Sequence, residues 1–135
     1  MKNILVIDAQ GGGVGKQLVA CIKSMDAELN VTAVGTNVSA TEAMLRAGAD
    51  RAATGENSVV VACRSADIII GPIGVVIADA MLGEITPAMA LAVAQAPAKR
   101  ILLPFNNCDN IVAGITEGSP KKLIAAALAE LKEIL

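Results

Sequence analysis

The chain has no His, no Tyr and no Trp, and a single Phe among its 135 residues. Without histidine, no Ser-His-Asp or Cys-His nucleophile can be assembled from one copy. Histidine-ligated metal is excluded with it. Acid-base chemistry falls to Asp, Glu, Lys or Cys. The near-absence of rings also removes the stacking platform on which single-stranded nucleic acid is held. Eleven Lys and Arg stand against thirteen Asp and Glu, for a net charge of -2. The cations are scattered, and a phosphate backbone needs a basic stripe. We expect no nucleic-acid partner.

Long apolar runs are also missing. A membrane span takes about 18 uninterrupted apolar residues, and the most apolar stretch, 68–82, is broken by Gly71, Pro72, Gly74 and Asp79. The opening MKNILVIDAQ is too short in its apolar part for a signal peptide and runs into Asp8 and glycines. These features predict a soluble, cytoplasmic protein with no membrane partner. The cysteines, Cys21, Cys63 and Cys108, are odd in number and widely spaced. With no C-x-x-C and no zinc pattern, they read as reduced thiols, and no metal is expected.

What is present is an alternation of strand and helix signals. Lys2 to Asp8 is an apolar run ending in Asp, the pattern of a buried parallel strand. Val14, Leu18, Ile22 and Met25 recur at helical spacing. Asn30 to Gly35 is a second strand, and Ser39 with Glu42 reads as a capping box opening a helix that stops at Gly48. A short edge strand over Arg51–Thr54 precedes a helix over Glu56–Ser65. Asp67 to Ile70 is a central strand, followed by a short helix from Val75 to Met81. Thr86-Pro87 and Ser119-Pro120 each match a cap followed by Pro at the first helical position. Arg100–Phe105 and Ile111–Ile115 read as further strands.

The alternation predicts an α/β fold: one Rossmann-like domain over residues 1–135, with a doubly wound parallel sheet of order 3-2-1-4-5 in a three-layer α/β/α arrangement. Ligands of such sheets bind outside the carboxyl ends of the strands, where the order reverses. The loops after Asp8, Gly35, Gly71 and Phe105 should therefore surround one crevice. More than half of the residues are apolar, a high share for so small a domain. The surplus predicts a homodimer or higher homo-oligomer.

The first loop carries the chemistry. Asp8-Ala9-Gln10-Gly11-Gly12-Gly13-Val14-Gly15-Lys16-Gln17 lies between a strand and a helix, the context in which a glycine loop cradles phosphate. The G-x-G-x-x-G template falls on Gln10, Gly12 and Gly15. The G-x-x-x-G-x-G spacing of short-chain dehydrogenases falls on Ala9, Gly13 and Gly15. The P-loop template falls on Gln10, Gly15 and Lys16, but Gln17 stands where a magnesium-holding hydroxyl belongs, and the Ile68–Ile70 strand ends in Gly71 rather than a metal-orienting Asp. A Rossmann-type loop ranks above a P-loop ATPase; a turn that only packs helix on strand is the bland alternative. Asp8 is either a turn-bonding residue or a group that orients ribose, water or metal.

Further candidates lie on the other loops. Thr36 and Asn37 are neutral where an NAD site has an acid, which favours NADP or another phosphorylated nucleotide. Gly71, Pro72, Ile73 and Gly74 suggest close backbone approach to a ligand. Glu56 and Glu84 are candidate bases, each equally suited to a helix start. Asn106 opens a polar loop, and Cys108 in it is the candidate reactive thiol.

The segments IDAQGGGVGK, VGTNVSATEAMLRAGA, ATGEN, GPIGVVIADAMLGEITPAMA and ILLPFNNC resemble a family of small bacterial proteins, a domain of unknown function, over nearly the whole chain. The resemblance implies a Gly at the place of Ala9, which would complete the dehydrogenase spacing. It implies no activity. The leading expectation is a module binding a phosphate-bearing nucleotide, NADP-like first, on Gly11–Gly15. The chain has no second domain for a substrate and no dehydrogenase tyrosine. A non-catalytic nucleotide sensor or regulatory subunit is therefore one alternative. A small enzyme acting on a phosphorylated or carboxylated metabolite at a subunit interface is the other.

Overall fold

The computed structural model describes residues 1–105, 109–115 and 119–135. Five strands form one parallel sheet in the order β3-β2-β1-β4-β5, as the alternation predicts. They are β1 (Asn3–Asp8), β2 (Asn30–Gly35), β3 (Arg51–Thr54), β4 (Ile68–Pro72) and β5 (Lys99–Leu103). The helices are α1 (Gly13–Met25), α2 (Val38–Arg46), α3 (Glu56–Ser65), α4 (Pro87–Gln95) and α5 (Pro120–Ile134). This is a Rossmann-like three-layer arrangement.

Two cores lie on the two faces of the sheet. Residues of α1, α2 and α5 (Leu18, Ile22, Met44, Ile124 and Leu131) pack with Ile4, Val6, Ile68 and Ile70. Residues of α3 and α4 (Val59, Cys63, Met89 and Val93) pack with Leu5, Ile7 and Ile69 on the other face. Successive side chains of a strand point to opposite faces, so the runs Ile4–Ile7 and Ile68–Ile70 feed both cores. β1 sits at the centre, paired with β2 from Asn3↔Asn30 to Asp8↔Gly35 and with β4 from Ile4↔Ile68 to Val6↔Ile70. The order reverses between β1 and β4, at the carboxyl ends of Asp8 and Pro72.

Three sequence expectations need correction. The stretch after β4 is not a helix through Met81 but a 3₁₀ turn, Ile73–Val76, followed by tight turns. Met81 and Leu82 have φ of 55° and 57°, outside right-handed helix. The cap of α2 is Asn37, whose side chain accepts from Ala40 N–H, so Ser39 and Glu42 form no capping box. Ile111–Ile115 is no strand: Ile111 is 94% exposed, and the segment pairs with no strand among the described residues. The caps at Thr86 and Ser119 are as expected, each accepting from the helix three residues on.

Candidate functional site

Only four residues separate β1 from α1. Gly12 N–H donates to the Ala9 carbonyl at 3.0 Å, closing a tight turn over Gln10 and Gly11. So short a turn cannot wrap an anion as a P-loop does, and the P-loop reading loses its geometry. Gln10 has φ 50° and Gly12 φ 73°. Both are left-handed, a conformation glycine adopts freely and Gln10 adopts at some cost. Gln10 stands where the G-x-G-x-x-G template has its first glycine.

The glycines of the loop divide into two kinds. A Cβ on Gly12 would lie 2.8 Å from the Ala40 backbone, and one on Gly15 would lie 2.6 Å from Met44 Sδ and 2.8 Å from Asp8 Cβ. Those two are required by packing. A Cβ on Gly11 or Gly13 would meet nothing within 4 Å, and neither has a positive φ. Both are exposed. Packing and backbone geometry give no reason for glycine at either.

Asp8 turns inward. Its Oδ1 accepts Ala9 N–H at 2.8 Å and its Oδ2 accepts Gly15 N–H at 2.6 Å. Of its two sequence readings, turn bonding is the one observed. Burial pushes its carboxyl above the ordinary value, against the bonds from Gly15 and Ala9, and the negative charge of Glu84 adds to the rise. Asp8 thus occupies the third amide of α1. The N–H groups of Gly13 and Val14 ahead of it have no hydrogen-bond partner among the described residues. Lys16 follows in the first turn, exposed and in no salt bridge among the described residues.

The segment between β4 and α4 brings in a second carboxylate. Glu84 Oε1 accepts from Gln10 N–H at 2.8 Å, Thr36 Oγ1 at 2.7 Å and Asn37 Nδ2 at 2.9 Å. Asn37 Nδ2 also donates to the Gln10 carbonyl at 2.9 Å. One acceptor therefore ties the loop after β1 to the loop after β2. Partial burial works to raise the Glu84 pKa, but the bonds from Thr36, Gln10 and Asn37 outweigh it and hold the carboxyl below its ordinary value. In the sequence Gln10, Thr36-Asn37 and Glu84 fall on three separate loops, and nothing in their spacing shows that they meet.

The remaining candidates are placed less centrally. Gly71 abuts β1: a Cβ there would lie 2.5 Å from the Ile7 carbonyl oxygen. With Pro72 and Gly74 it is buried, and Ile73 is half-buried. Strand packing alone accounts for Gly71. Glu56 begins α3 at the edge-strand end of the sheet, exposed and bonded to none of the loop residues. Asn106 and Cys108 lie outside the described residues. Among the described residues, no group of three His, Cys, Asp or Glu side chains is placed to hold a metal, and no helix is long and apolar enough to cross a membrane. An open groove of about 440 Å³ runs between α3 and the β2–β3 face, lined by Leu5, Thr32, Val34, Arg51 and Val61. It does not reach the glycine loop.

A family model described as a domain of unknown function, DUF3842, matches residues 3–135. The chain belongs to this family. The DUF3842 chain has no match among curated proteins. Among solved structures it is similar to a dodecameric FMN-dependent UbiX-like decarboxylase from Escherichia coli O157:H7. Identity is 15%, the likeness covers 98% of this chain and 94% of that one, and the TM-score is 0.49. The Rossmann-like fold of the DUF3842 chain rests on its own strand order.

Proposed function

We propose that residues 1–135 form one domain that binds a phosphate-bearing nucleotide at the loop between β1 and α1. The observation that supports this best is the state of Gly11 and Gly13. Both are exposed, free of any packing demand and without positive φ. Glycine at such positions lets a ligand approach the backbone closely. Beside them the amides of Gly13 and Val14 point out of a helix N-terminus, where an anion is favoured. Lys16 adds a cation one turn further on.

Binding without turnover is the form of this reading that the titratable groups favour. Glu84 is ionised at neutral pH and committed to Gln10, Thr36 and Asn37. Asp8 is buried and committed to Ala9 and Gly15. Glu84 is thereby held in its ionised form, and Asp8 is turned into the fold. A sensor or regulatory subunit needs no proton-transferring group. Exposed Val38, Leu45, Val61 and Leu91 supply apolar surface for a homo-oligomer.

The test is a thermal-stability screen of the full chain against NAD, NADP, FMN, ATP and ADP-ribose. A ligand that binds only the folded state raises stability by RT ln(1 + [L]/Kd), about 2.7 kcal/mol at one hundred times Kd. A midpoint shift in the wild type that Gly13→Val removes supports the site. A screen in which no nucleotide moves the midpoint defeats it.

A further inference from the structure

We infer that Glu84 makes the site select a nucleotide whose ribose carries free 2′ and 3′ hydroxyls and reject the 2′-phosphorylated form. The inference rests on the nucleotide reading above. In doubly wound sheets the ribose of the ligand reaches the tip of the second strand, where a carboxylate accepts from its hydroxyls. This chain has Thr36 and Asn37 there, which on sequence alone points towards NADP. The structure supplies the missing acid from elsewhere. Glu84 arrives from the β4–α4 segment and is fixed by Thr36, Asn37 and the backbone of Gln10.

All three bonds fall on Oε1, and Oε2 accepts none among the described residues. A carboxylate oxygen has lone pairs to spare for a hydroxyl donor. A 2′-phosphate offers acceptors only and brings like charge. None of the residues bonded to Glu84 is a cation that could offset it.

The backbone that presents Glu84 is unusual. Asp79, Met81 and Leu82 have φ of 65°, 55° and 57°, and Gly83 follows at 86°. Left-handed non-glycine residues are costly, and such strain clusters at ligand sites. Here it is held by Met81 and Ile85, 6% and 1% exposed, and by Asp79 N–H on the Ile85 carbonyl at 2.7 Å. Its visible result is a carboxylate set at the end of β2.

The experiment is calorimetric titration of the full chain with ADP-ribose and with 2′-phospho-ADP-ribose. The wild type should bind ADP-ribose about 100-fold more tightly, the scale of a like-charge clash. Glu84→Gln should narrow the gap to about tenfold or less. Thr36→Val, which removes one tether and keeps the charge, should leave most of it. Equal wild-type affinities overturn the inference and leave the nucleotide site standing. An equal gain for both ligands in Glu84→Gln also overturns it, because Glu84 would then merely cover the loop. If neither ligand binds the wild type and the nucleotide screen is blank as well, the nucleotide reading falls and takes this inference with it.

Discussion

Asp8 Oδ2 and Gly15 N lie 2.6 Å apart, so the last residue of β1 caps the third residue of α1. A side chain at position 15 would drive strand and helix apart. Gly15→Ala is expected to cost about 1–3 kcal/mol, the range for overpacking a filled site. Gly13→Ala, with open space around its Cβ, should stay within about 0.5 kcal/mol of wild type. Urea unfolding of the two variants checks both. A large loss in Gly13→Ala would mean that packing explains this glycine too.

Acid should weaken the fold through two carboxylates and be partly opposed by a third. The Val31 amide, then Lys23, hold Asp50 below its ordinary 3.8, and the Thr36, Gln10 and Asn37 donors hold Glu84 below its ordinary 4.5 against partial burial. A lowered folded pKa gives stability that is present above the unfolded value and lost as pH falls through the folded one. Asp8 runs the other way: burial raises its pKa, so its contribution falls as pH rises through that raised value. Urea midpoints from pH 7 down to 3 should drop in the wild type. The drop should be shallower in Asp50→Asn and in Glu84→Gln. A curve unchanged by both substitutions would contradict the assignment.

The cysteines should label unequally. Burial pushes the Cys63 thiol up to about 11, on the core-facing side of α3, whereas Cys21 is exposed on α1. The thiolate is the reactive form. Iodoacetamide on the native protein at pH 8 should modify Cys21 and spare Cys63, read by peptide mass. Equal labelling of the two would show that α3 opens readily.

Leu82 is 97% exposed with φ 57°, so its side chain contributes no packing and its backbone is strained. Asn tolerates the left-handed region better. Leu82→Asn should stabilise by about 0.5–1 kcal/mol, seen as a raised urea midpoint. A loss would show that Leu82 is covered in the assembled protein.

The sheet was legible because its signals are local. Three isoleucines in Ile68–Ile70 mark a strand buried on both faces, and Thr86-Pro87 marks a helix start, whatever else the chain does. The cap of α2 was a near miss: Asn37 and Ser39 are both capping types, and the tie is broken by where β2 ends. Ile111–Ile115 has strand composition, but pairing partners decide strands. The site was half legible. The glycines announced the loop, yet not which of them packing requires. Glu84 was visible only as an acid before a helix. Its meeting with Thr36, 48 residues away, depends on the left-handed turn at Met81–Gly83, where the sequence reads as helix through Met81.

The central strand precedes the other four in the chain and waits longest for its second neighbour. β1 pairs with β2 and, through it, β3 within the first 54 residues, but its other edge waits for β4. Asn3 N–H meets Asp67 Oδ2 across 64 residues of chain. Until then a strand of wholly buried Ile, Leu and Val side chains has one open edge, a template for pairing with other chains. The β4–β1 pairing is the longest in sequence separation within the sheet, the kind of contact that slows folding. A fragment ending near Ser65 should form its β-α-β units and then aggregate through the edge of β1.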